Sequence, residues 1–104
     1  LADVNIRGVA QRLIEKRLRR NSENLKQLQI ELTLLDEQLA ALSDDANDKE
    51  MRSLVSETPL ALHEFRDAQK HVDALQEQRK YLVRAIAEQK QNQDDLLDKL
   101  GNKS

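Results

Sequence analysis

The chain reads as all-α, a long antiparallel helical hairpin in which an intramolecular coiled coil carries a short helix in its tip connection. Three observations predict this. From Ile14 to Leu42, steps of four and three visit Ile14, Leu18, Asn21, Leu25, Leu28, Leu32, Leu35, Leu39 and Leu42. That 3.5-residue recurrence returns side chains to one face of an α-helix and forms a coiled-coil seam. A second seam runs through Ala61, Phe65, Ala68, Val72, Leu75, Arg79, Leu82, Ile86, Gln89, Gln93, Leu96 and Leu100. Between the two, a polar stretch and the single Pro interrupt the pattern.

Composition agrees with a helical hairpin and excludes several other classes. Of 104 residues, 35% are charged and 2% aromatic, with no Trp and two Gly. So few aromatics cannot build a mixed globular core, whereas charged, Leu-rich sequence with helical periodicity marks coiled coils. The leucine track separates this chain from disordered sequences of similar charge. A net charge of −2 selects neither nucleic acid nor an anionic membrane. Zero Cys excludes disulfides and thiolate metal sites and suits a reducing, cytoplasmic setting. No apolar run approaches the roughly 18 residues that span a bilayer, and no signal peptide is visible.

The elements follow in order. Residues 1–8 begin weakly: Asp3 or Asn5 can cap a helix, and Gly8 costs about 1 kcal/mol relative to Ala. Arm one is expected over 9–42. The tip connection is expected over 43–58, because Ser43, Asp44, Asp45, Asn47 and Asp48 break the apolar pattern. Met51, Leu54 and Val55, at helical spacing, predict a short helix across the tip. Thr58 before Pro59 reads as an N-cap followed by Pro at the first helical position. Arm two is expected over 59–100, with Gly101 as its stop. The whole of 1–104 is read as one helical-hairpin domain.

The seams also predict a register. Pairing residues whose numbers sum to 100 sets Leu25 opposite Leu75, Leu35 opposite Phe65 and Asn21 opposite Arg79. It also joins Gln11 to Gln89 and Arg7 to Gln93. A one-heptad slip would set Leu28 against Arg79 and Leu18 against Gln89. Each unpartnered buried polar group costs about 1–3 kcal/mol. Asn21 and Arg79 are thus expected to form a register-setting polar layer.

Several surfaces are candidates for function. Ile6, Val9, Leu13, Ile30, Leu34, Leu62, Val83 and Leu97 lie off the seams and are read as an oligomer face, giving a homodimeric four-helix bundle. Residues 1–20 carry six cations against Asp3 and Glu15, a balance of +4. Within the expected register Arg12, Lys16, Arg17, Arg19, Arg20, Lys80 and Arg84 form one basic patch for an acidic protein or, less favoured, nucleic-acid phosphates. Only Tyr81 interleaves it, so base stacking is not indicated.

Residues 36–57 hold seven carboxylates against Lys49 and Arg52, a balance of −5. Asp44, Asp45, Asp48 and Glu50 are the candidate interaction residues of the tip. A hairpin with carboxylates at its tip resembles in architecture the Gre-type factors that enter the RNA polymerase secondary channel, where paired carboxylates hold Mg²⁺. The resemblance implies a tip-inserting regulator; the Gre tip motif and second domain are absent from this sequence. Type VII secretion substrates, helical hairpins of similar length, carry a Trp-x-Gly turn that this chain lacks.

His63, Asp67 and His71 are spaced by four, a pattern that can ligate Zn²⁺ or Ni²⁺ and more often forms i,i+4 pairs. No nucleophile–base pairing or Gly-rich phosphate loop is present, so no enzyme, cofactor or metal is expected. The function read from the sequence is a non-enzymatic interaction or scaffold module that self-associates and presents its acidic tip or basic end to an unidentified protein.

Overall fold

The computed structural model describes the backbone from Ala2 to Gly101 and side chains from Ile6 to Gly101. Two helices account for it: α1, Ala2–Ser56, and α2, Pro59–Gly101. They form an all-α helical hairpin, and no strand occurs among the described residues. The side chains of Asp3 and Asn5, expected as caps, lie outside the described side chains. Gly101 is the last helical residue of α2 rather than a residue beyond it.

The tip departs most from expectation. There is no separate helix across it and no connection over 43–58; α1 continues through that stretch to Ser56. Ser43, Asp44, Asp45, Asn47 and Asp48 are only weakly unfavourable in a helix, a few tenths of a kcal/mol each. Neither Gly nor Pro interrupts them. Asp45 and Lys49 pair at 2.9 Å across one turn. Further on, Ser53 Oγ donates to the Glu50 carbonyl at 2.7 Å and Ser56 Oγ to the Arg52 carbonyl at 2.8 Å, so these hydroxyls bond within the helix. Ala46 is only 2% exposed and extends the seam, so packing decides against local preference.

The reversal needs only Glu57 and Thr58. Glu57 adopts the left-handed conformation (φ 53°), and its N–H donates to the Ser53 carbonyl at 3.1 Å. This is the αL helix stop, usually taken by Gly. Thr58 then caps α2: its Oγ1 accepts from the Ala61 N–H at 3.2 Å, and its carbonyl accepts from the Leu62 N–H at 3.2 Å. Pro59 follows at the first helical position, as expected.

A two-residue turn dictates which residues meet. The pairing that sets Asn21 opposite Arg79 and Leu35 opposite Phe65 is not formed. Arg79 meets Asp36 instead, fifteen residues from the expected partner. Asn21 in turn bonds Gln89, ten residues from its expected partner, so in each unit the helices pair in a register other than the expected one.

The packing falls into two units. One comprises the described residues of α1 up to Ile30 with those of α2 from Arg84; Asn21 and Ile86 are its buried residues. The other is Glu31–Val83, with Leu35, Ala46, Ala61, Ala68, Val72 and Leu82 buried. Within it Ala46, Ala68 and Val72 form a cluster against which Leu39 packs.

Candidate interaction surfaces

The polar seam positions act separately. Asn21, 6% exposed, donates from Nδ2 to the backbone carbonyl of Gln89 at 3.1 Å. That carbonyl also lies within a helix, so the buried amide is satisfied by a group already bonded once. Arg79 leaves the seam for solvent, where its Nε donates to Asp36 Oδ1 at 2.7 Å. The hydrogen bond to Asp36, then the charge of that carboxylate, raises the guanidinium above its ordinary pKa. With its folded value raised, the stability linked to Arg79 protonation is lost only as pH climbs through that folded value. Arg79 therefore stays charged at every physiological pH. The expected Asn21–Arg79 layer is thus replaced by a buried amide in one unit and a half-exposed ion pair in the other. Gln11, expected against Gln89, bonds Glu15 within its own helix at 3.4 Å.

The changed register also redraws the basic surface. Arg17 and Arg20 line a cleft of about 310 Å³ with Asn21, Asn24, Gln89, Asn92, Asp95, Leu96 and Lys99. The α2 residues beside these arginines come from Gln89 to Lys99, not from the expected Lys80 and Arg84. Lys80 donates to Glu77 at 3.0 Å in the other unit. Asp95 stands among the cations of the cleft and accepts from Gln91 at 3.1 Å. No His, Ser, Thr or Cys lines it. Arg12, Lys16 and Arg19 are exposed on α1.

Asp44, Asp45, Asp48 and Glu50 are exposed, as a tip surface requires, but they sit on the body of α1 before the turn. The turn itself is bordered by apolar side chains: Met51, Leu54, Val55 and Leu60 are each more than 60% exposed. Sequence reasoning assigned the first three to a covering helix. Their solvent-facing placement follows from the continuity of α1, which the polar stretch concealed.

His63 Nε2 lies 3.2 Å from Asp67 Oδ2, both exposed, an ordinary i,i+4 pair. No group of three or more His, Cys, Asp or Glu among the described residues is arranged to hold a metal ion. No helix among them is long and apolar enough to cross a membrane.

The off-seam apolar residues are all exposed: Ile6, Val9, Leu13, Ile30 and Leu34 on α1, and Leu62, Val83 and Leu97 on α2. Ile6, Val9, Ala10 and Leu13 line an apolar concavity near the start of α1. Fold and surfaces together define a class, the two-helix coiled-coil hairpin. No protein-family model, curated protein or solved structure matches this chain.

Proposed function

We propose that this chain is a non-enzymatic coiled-coil interaction module that self-associates. The observation that carries the proposal is the excess of exposed over buried apolar side chains. Fourteen large apolar residues are exposed among the described residues, against seven buried ones, three of them Ala. The chain leaves 8161 Å² accessible at 12.0 kDa. A compact monomer of that mass exposes about 6000 Å². A helix pair gives each helix one neighbour, and a second copy supplies the missing one. As a homodimer, the module would still offer Leu54 and Leu60, beside Asp45 and Glu50, to a further protein.

Sedimentation equilibrium from low micromolar to submillimolar concentration tests self-association. The expected mass rises from that of one chain to that of two; a single-chain mass throughout overturns the proposal. Neither alternative draws comparable support: Asp95 among the cations of the cleft opposes phosphate binding, and the turn presents no paired carboxylates for a Mg²⁺-holding tip.

A further inference from the structure

The face of α1 that points away from α2 carries a pattern of its own. Heptad steps along α1 place Ile6, Val9 and Leu13 on one stripe, followed by Lys16 and Arg20. Glu23 and Gln27 follow, then Ile30 and Leu34 at its middle, then Glu37 and Ala41. Asp44 and Asp48 come next, then Met51 and Val55. Every one of these residues is exposed. None of its six charged residues, Lys16, Arg20, Glu23, Glu37, Asp44 and Asp48, is ion-paired to another described residue. Outside the four residues Glu23, Gln27, Glu37 and Ala41 that flank its middle, the order is apolar, basic, apolar, acidic, apolar, which becomes its own complement when reversed.

Resting on the self-association proposed above, we infer that a second copy docks antiparallel on this stripe, α1 against α1, about a two-fold axis between Ile30 and Leu34. Ile30 then faces Leu34 of the second copy, Leu13 faces Met51 and Val9 faces Val55. Lys16 meets Asp48 and Arg20 meets Asp44, while Glu23 faces Ala41 and Gln27 faces Glu37, so no carboxylate meets another. A two-fold interface repeats every pair, so each match counts twice.

The competing arrangements fail on the same residues. Slipping one heptad in one direction sets Leu13 against Asp44 and Val9 against Asp48. Slipping the other way sets Lys16 against Val55, Arg20 against Met51 and Glu23 against Asp48. A parallel pair sets Lys16, Arg20, Asp44 and Asp48 each against its own copy, and like charges so placed repel. Within the chain a tight turn imposes register regardless of side chains. Between chains no turn exists, so side-chain matching alone decides.

The absence of native Cys makes the geometry directly readable. Variants Leu13→Cys and Met51→Cys, mixed and mildly oxidised, should cross-link to each other and not to themselves. Charge reversal gives the second readout. Lys16→Glu with Arg20→Glu should weaken the dimer by about tenfold or more, as should Asp44→Lys with Asp48→Lys. Mixing the two double variants should restore association as a heterodimer, with circular dichroism confirming unchanged helicity. A native chain that stays monomeric overturns both self-association and this inference. If the native chain dimerises but the Leu13→Cys variant cross-links to itself, or the charge reversals have no effect, the antiparallel stripe is overturned and self-association stands.

Discussion

Two residues hold conformations or positions that their side chains do not favour. Glu57 stands where the αL stop favours Gly, with φ 53°. The left-handed region costs a residue with a Cβ about 1–2 kcal/mol, and the greater chain freedom of Gly when unfolded cancels part of that. Glu57→Gly is therefore expected to stabilise by about 0.5–1 kcal/mol, read as a higher urea midpoint. Asn21 is buried, and from Ile14 to Leu42 every other seam position of α1 is Leu or Ile. Such an amide commonly secures register at a cost in stability. Here the turn already secures it. Asn21→Leu should thus raise stability by about 1 kcal/mol, read as a higher urea midpoint. A fall in the midpoint would show that the bond to the Gln89 carbonyl outweighs burial of the larger side chain.

At the scale of elements, the caps are local and the length of α1 is not. Thr58 and Pro59 carry the residue types that an N-cap and a first turn require, and the start of α2 was legible from them. Thr58→Ala removes the acceptor of the Ala61 N–H and should cost about 1 kcal/mol. The seam of α2 was legible too, since nearly all its positions are apolar or Gln; only Arg79 leaves it. The second half of α1 was obscured because Ser43, Lys49 and Ser53 occupy partly buried positions there, leaving Ala46 as its one fully buried small residue. Placed in a flexible connection, Ala46→Asp would be nearly neutral. Within a packed helix it should cost roughly 2–3 kcal/mol, measured by chemical denaturation.

For the whole molecule, charge and apolar surface point the same way. The 17 cations and 19 carboxylates nearly cancel in number. Along α1 they are segregated, +4 over residues 1–20 and −5 over 36–57. Such segregation gives an α1 helix its best electrostatic match in a second, reversed α1. If that match is used, the thermal midpoint should increase with protein concentration, because only the folded state dimerises. It should also fall as salt rises from about 0.05 M to about 1 M at fixed protein concentration, because exposed ion pairs are screened. A midpoint independent of concentration would contradict association.

The sequence by itself determined that the chain is helical, that it turns back once, where α2 begins and which face of α2 is buried. Heptad periodicity and capping chemistry are local properties, carried by residues within a few turns of one another. Tertiary structure alone decided how far α1 extends and which residues meet across the hairpin. Registers that differ by whole heptads keep the same faces together, so seam periodicity cannot choose among them. The two-residue reversal at Glu57 and Thr58 makes that choice, and with it Asp36 becomes the partner of Arg79.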